Sequence, residues 1–176
     1  MILDLGCGSK KRAGAIGVDI NPASGADVIH DLDTIPYPFE TSTADEIYLD
    51  NVLEHLADVV ATLEEIHRIG KPGGLVRIDV PYFRSRWAAV DPTHRHAFAV
   101  DSLGYFDPSH AFFAQYRYST ARFSIQRVTF NERFPSTGAR GLLARAANRW
   151  PERYEQHLSS ILPLDELTFM LRVIKN

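Results

Sequence analysis

The stretch DLGCGSKKRAGAIGVDI, residues 4–20, sets the strongest constraint on what this chain can fold into. An apolar strand, MILDLG, is stopped by Gly6 and Gly8. A second strand, AIGVDI (15–20), runs through Asp19 to the turn signal Asn21-Pro22. Two adjacent parallel strands need a crossover of about ten residues or more, ordinarily a helix of several turns. Only SKKRAG separates Gly8 from the second strand. The first helix is therefore expected to shrink to a turn or a short 3₁₀ piece.

The rest of the pattern is that of an α/β sheet. ADVIHDL (26–32) alternates as a third strand, and a loop broken by Pro36 and Pro38 follows. DEIYLDNV (45–52) puts Ile47 and Leu49 on one face and Tyr48 on the other. From Leu53 to Ile69 the spacing turns helical, with Leu56, Val59, Val60, Leu63, Ile66 and Ile69 in one stripe. Gly70 and the KPGG turn end that helix, and LVRIDVPY (75–82) is a fifth strand. In the second half, WAAVDPTHRHAF reads as loop and DSLGYF as a short helix capped by Asp101. ARFSIQRVTFNERF reads as a long strand, GARGLLARAANRW (138–150) as a basic amphipathic helix, and LTFMLRVIK (167–175) as a last strand. Strands alternating with crossovers predict a parallel sheet in one domain over 1–176, with a ligand half (1–82) and a covering half (83–176).

Composition narrows the partners. The 176 residues carry a net charge of −3, and no basic stripe with interleaved aromatics is present, so nucleic acid is not expected as a partner. The single cysteine, Cys7, rules out an internal disulfide. No apolar run approaches the roughly 20 residues that span a bilayer, and no signal peptide is visible, so a cytoplasmic location is expected. A homo-oligomer is left open.

In an open α/β sheet, ligands bind beyond the carboxyl ends of the strands. There Gly6 and Gly8 let the backbone turn close to a ligand, and Asp19 can accept ribose hydroxyls. A dinucleotide site would add a third glycine of G-x-G-x-x-G and a helix N-terminus for the pyrophosphate. Gly14 comes too late for that. The pattern fits a ligand with a ribose and no phosphate.

DLGCG, Asp19 in GVDI, Asp31-Leu32 before a proline-rich stretch, NVLEHL and KPGG occur in that order. With them the first half resembles the class I S-adenosylmethionine-dependent methyltransferases, in their small-molecule branch. The resemblance implies a Rossmann-like doubly wound sheet of order 3-2-1-4-5-7-6, with strand 7 antiparallel and the first helix reduced or absent. It implies S-adenosylmethionine as cofactor. Asp4 would face its ammonium end, Gly6 and Gly8 its methionine part, Asp19 its ribose and Ile20 its adenine. Asp31 would accept from the adenine amino group, the Leu32 N–H would meet a ring nitrogen, and Asn51 would lie near the methionine part. The implied reaction is methyl transfer to oxygen or nitrogen of a small molecule; the alternative is a non-catalytic or regulatory protein that keeps the fold.

The acceptor side is expected from PYFRSRWAAVDPTHRHAF (81–98). His94 or His96 could be a general base. Asp91, His94 and His96 could instead form a two-histidine, one-carboxylate metal site, and a third reading leaves both histidines bonded to backbone. His55 could line the pocket or be satisfied locally. Tyr37, Phe39, Tyr82 and Phe83 could offer ring faces to the sulfonium. Arg84 and Arg86 beside Trp87 suggest an anionic group on the substrate, or a solvated loop.

Overall fold

The computed structural model describes residues 1–133 and 137–175. Seven strands form one sheet: β1 (Ile2–Leu5), β2 (Ile16–Asp19), β3 (Val28–Ile29), β4 (Ala44–Asp50), β5 (Gly70–Pro81), β6 (Phe123–Phe130) and β7 (Glu166–Val173). Their order is β3-β2-β1-β4-β5-β7-β6. β1 to β5 pair in parallel, and β7 inserts antiparallel between β5 and β6. This is the order and the antiparallel insertion that the sequence implied. β7 takes the buried place because Leu167, Phe169 and Leu171 alternate along one face, and all three are buried.

Helix α1 (Val59–Ile69) joins β4 to β5, and α2 (Trp87–Val90) and α3 (Ala111–Tyr116) are short. α4 (Gly138–Arg149) and α5 (Pro151–His157) lie between β6 and β7. The expected helix over 53–69 starts six residues late. Asp58 is its N-cap, accepting the Ala61 N–H, and the residues before it are turns. Leu53 and Leu56 are buried as the helical stripe requires, yet the Ala57 N–H donates to Asp33 across the loop instead of entering a helix. The KPGG turn is absorbed into β5, where Gly70 pairs with Ala44. DSLGYF contributes only a 3₁₀ turn at Gly104–Phe106, preceded by Leu103 in place of the expected Asp101 cap. ADVIHDL contributes just the two residues of β3.

The register separates two sheet faces. Leu3, Ile47, Val76 and Leu171 are successive partners across four strands, and all are buried among the side chains of α1. The row beside it runs Gly17, Asp4, Tyr48, Arg77 and Met170. A parallel sheet is ordinarily covered on both faces by its crossover helices. Here β1–β2 and β2–β3 are joined without an α-helix, leaving a 3₁₀ turn at Pro22–Ser24. That second face is closed by polar side chains. Arg77 pairs with Asp79 through Nε (3.0 Å) and Nη2 (3.2 Å), and Asp79 also accepts from Thr168 Oγ1. Arg12 lies 3.8 Å from the centre of the Tyr48 ring and 3.5 Å from Asp50.

The core therefore sits on one face, and β7 carries much of it. Phe169 is fully buried in the middle of β7. Phe169→Ala should lower the unfolding free energy by about 3–5 kcal/mol in a urea titration. A loss below about 1 kcal/mol would place β7 outside the core.

Candidate functional site

The carboxyl ends of β1, β2 and β4 meet around the glycine turn. Gly6 and Cys7 both donate to the Val18 carbonyl, at 2.8 and 3.0 Å, which folds the chain sharply after β1. Gly6 has φ +70°, and a Cβ there would sit 2.4 Å from Val52. Any side chain at residue 6 would collide with the segment after β4. Gly8 has φ +54°, and the space where its Cβ would be is open. Asp19 holds the turn: Oδ2 accepts from the Gly8 N–H and Oδ1 from the Asn21 N–H, each at 2.8 Å.

Asp4 is buried, and its Oδ2 accepts the Arg12 N–H at 2.7 Å, so one carboxylate oxygen serves the short crossover. Ile20 follows β2 with 63% of its surface exposed. Asp31 is exposed and caps its own turn through the Asp33 N–H, while Leu32 is buried and its carbonyl accepts from the Tyr37 hydroxyl. Asn51 sits just past β4 with φ +55° and donates its N–H to the Asp79 carbonyl.

These residues fit S-adenosylmethionine. Each Asp19 oxygen carries one N–H and keeps a second lone pair for a ribose hydroxyl. Gly8 leaves open room beside the turn, and Ile20 offers a bare apolar surface next to Asp19. Asn51, just past β4, lines a cavity of about 640 Å³ together with Glu54, His55, Trp87, His94 and Glu166.

Glu54 and Glu166 were not singled out by sequence reasoning, and they dominate this cavity. Glu54 is 1% exposed, and among the described residues neither of its oxygens has a hydrogen-bond partner. Burial, with Glu166 and Asp91 nearby, pushes its carboxyl up to about 7. Burial, together with Asp79, likewise pushes Glu166 up to about 7, against the pull of Arg133 at 3.9 Å. His94 Nε2 lies 4.0 Å from Glu54 Oε1, and its Nδ1 meets the Ala88 carbonyl at 3.2 Å. The His55 and His94 rings meet edge to face at 4.7 Å, and His55 Nδ1 bonds Thr93 Oγ1 at 2.9 Å. Burial, then the charge of His94, pull the His55 pKa down.

The histidine pair of the loop comes apart. His94 reaches the cavity, whereas His96 Nε2 bonds the Leu56 carbonyl at 2.9 Å. The Arg95 and His96 N–H groups both donate to the Glu54 carbonyl, fastening the loop to the turn after β4. The metal-like grouping in the structure is accordingly Glu54, His55 and His94, in place of Asp91, His94 and His96. Tyr37 and Tyr82 are core residues, and Phe39 packs against the core. Arg84 and Arg86 lie over the rings of Phe83 and Trp87, 4.8 Å from each ring centre, and neither lines the cavity.

The raised carboxyls have a measurable consequence. The folded chain holds the Glu54 proton more tightly than the unfolded chain, so the stability tied to that proton is present below pH 4.5 and drains as pH rises to about 7. Glu54→Gln removes this dependence. Its stability should match wild type near pH 4 and exceed it by about 3 kcal/mol at pH 8 in urea unfolding. Parallel pH curves would put the carboxyl in water.

Residues 3–78 match the methyltransferase domain family. No curated protein matches the sequence. Among solved structures, an S-adenosylmethionine-dependent methyltransferase from Archaeoglobus fulgidus is similar at 16% identity and a TM-score of 0.59, over 97% of this chain and 85% of that one. A structure of the Haloferax volcanii Trm112 methyltransferase activator in complex with a methyltransferase matches at 19% identity and 0.63, over 99% and 82%. The cyclase SpnF matches at 16% and 0.58, over 99% and 74%. At these identities the structural likeness establishes the fold alone. S-adenosylmethionine is the cofactor that family and fold imply. Residues 3–78 thus match a methyltransferase domain family, and the chain as a whole has the fold seen in S-adenosylmethionine-dependent methyltransferases.

Proposed function

We propose that the chain transfers a methyl group from S-adenosylmethionine to an oxygen or nitrogen of a small molecule bound in the cavity beside Asn51. The observation that carries this reading is the cavity itself. Asn51, which the family resemblance sets near the methionine part of the cofactor, lines it, and its walls carry imidazole and carboxylate groups that can take a proton. The cofactor supplies an electrophilic methyl on a sulfonium. The chain's task is to hold the nucleophile in line and take its proton.

Asp19 binds the ribose hydroxyls, Gly6 and Gly8 keep the turn clear, and Ile20 packs on the adenine. Asp4 acts through the crossover it holds, and the remaining Asp4 oxygen faces the cofactor's ammonium end. Asp31 and Leu32 meet the adenine edge. His94 is the base: its Nδ1–H donates to the Ala88 carbonyl, leaving the Nε2 lone pair free to take a proton. His96 secures the loop through Leu56 and takes no proton. The reading of the fold as a non-catalytic binder predicts cofactor affinity without turnover.

Asp19→Ala should cost about 2–3 kcal/mol of S-adenosylmethionine binding, a loss of roughly 30- to 150-fold in calorimetry. Unchanged affinity in a folded variant would remove Asp19 from the site. For turnover, release of S-adenosylhomocysteine should be measured against a panel of hydroxyl and amine compounds. His94→Gln should lower it by a factor of about 100 or more at pH 7, and His96→Gln should leave it within a few-fold. Equal loss in both variants would make the histidines structural.

A further inference from the structure

The helices between β6 and β7 carry a surface that the cavity does not use. In α4, Leu142, Arg145, Ala146 and Arg149 recur at helical spacing, and all four are exposed. Gly141, Ala144 and Ala147 are buried instead. Asn148 fastens the helix to β6, accepting the Phe130 N–H at 2.6 Å and donating to the Phe130 carbonyl at 3.1 Å. An apolar groove of about 370 Å³ lies between α4 and α5, lined by the exposed Trp150 and Leu158 and the buried Ala147 and Tyr154. Just beyond it, the Ile161 and Leu162 N–H groups both donate to the Leu158 carbonyl, at 3.1 and 3.0 Å. That turn gathers three exposed apolar side chains, and Ile161 leaves 75% of its surface to water. The turn is not loose. The Tyr154 hydroxyl donates to the Leu162 carbonyl at 2.7 Å and accepts the Leu164 N–H at 2.8 Å. A patch of this kind, held rigid and left bare, calls for a cover.

Charge decides what covers it. Residues 138–162 hold Arg140, Arg145, Arg149 and Arg153 against Glu152 and Glu155, in a chain of net charge −3. Arg140 is taken by Asp165, and Glu155 accepts the Val100 N–H. Among the described residues, Arg145, Arg149 and Arg153 have no ion-pair partner. A second copy of the chain is a poor cover, since a two-fold contact would set these arginines against their own equivalents. A bilayer with anionic headgroups answers both properties: its surface attracts the arginines, and its acyl boundary takes the apolar side chains. Trp150, with the Arg149 guanidinium 5.5 Å from its ring centre, puts ring and charge in one layer, as that boundary favours.

We propose that α4, α5 and the turn from Leu158 to Leu162 form a docking face for the surface of an anionic lipid bilayer. Among the described residues no helix is long and apolar enough to cross such a bilayer, and the proposed contact is with its surface. The assignment is independent of the methyl-transfer reading.

The test is co-sedimentation of the intact chain with vesicles of phosphatidylcholine mixed with phosphatidylglycerol, and with vesicles of phosphatidylcholine alone. The chain should bind the mixed vesicles, lose affinity as salt rises, and bind the neutral ones about tenfold more weakly or worse. Tryptophan emission should move to the blue on binding, and Trp150→Phe should remove that shift although Trp87 remains. One arginine near such a surface is worth about fivefold in affinity, so Arg145→Glu with Arg149→Glu should cost about 25-fold or more. Ile161→Ser with Leu162→Ser should cost about tenfold or more. All four residues are exposed, so the circular dichroism of both double variants should match wild type. No sedimentation with the mixed vesicles, or sedimentation that either double variant leaves unchanged, overturns the face. A dimer in vesicle-free solution that Ile161→Ser with Leu162→Ser dissolves would assign the face to a second copy and overturn it too. None of these readouts involves S-adenosylmethionine, so the methyl-transfer reading is judged apart from them.

Discussion

The Asp4 carboxylate accepts the Arg12 N–H at 2.7 Å, and through that bond the chain passes from β1 to β2 without a helix. Two further carboxylates complete the passage. Asp19 accepts from Gly8, and Asp27 accepts from Gly17 at 2.7 Å while pairing with Lys11 at 2.8 Å. An ordinary crossover helix satisfies its own backbone and covers the sheet. Here side-chain oxygens satisfy the backbone, and the cover has to come from elsewhere. Arg12 on Tyr48, and Arg77 with Asp79 and Thr168, are the form that cover takes.

The same economy explains why the sheet can be polar on one face and still be stable. Asp79 and Thr168 are fully buried, yet each is matched, and Arg77 offers a two-pronged fit to the carboxylate. The matched network costs little next to unpaired groups in the same place. At the ends of the same strands the rule is broken. Glu166 enters β7 two residues before Thr168 with Oε1 unbonded, and both Glu54 oxygens lack a hydrogen-bond partner among the described residues. Unmatched groups stand at the carboxyl ends of the strands, where an open sheet binds its ligands.

The missing helix was legible in the sequence because six residues cannot make a crossover helix, and alternation marked the strands, whereas their order came from the family resemblance. The glycine turn with Asp19 was legible for a similar reason, since its roles depend on neighbours close in the chain. The start of α1 was not. Leu53 and Leu56 keep a helical spacing, but the backbone there serves the loop instead: Glu54 accepts from Arg95 and His96, and Ala57 donates to Asp33. Tertiary partners overrode periodicity. Glu54 and Glu166 escaped notice because a glutamate carries no sign of burial in its sequence. Only the insertion of β7 beside β5 brings Glu166 opposite Pro81 at the cavity.

The expectation of an anionic substrate group shows how the missing information matters. Arg84 and Arg86 stand next to Trp87 in the chain, and in sequence they read either as a seat for an anionic group or as a solvated loop. In the fold each guanidinium lies over a neighbouring ring, a use that satisfies the cation locally. The charge facing the cavity comes instead from residues 54 and 166, on two elements far apart in the chain. The sign of a site's field is a sum over whatever the topology gathers, so local charge runs are a poor guide to it. Here the topology gathers Glu54 from the turn after β4 and Glu166 from the start of β7 at one cavity, and brings His94 Nε2 to 4.0 Å from Glu54 Oε1, a juxtaposition that no local stretch of the chain announces.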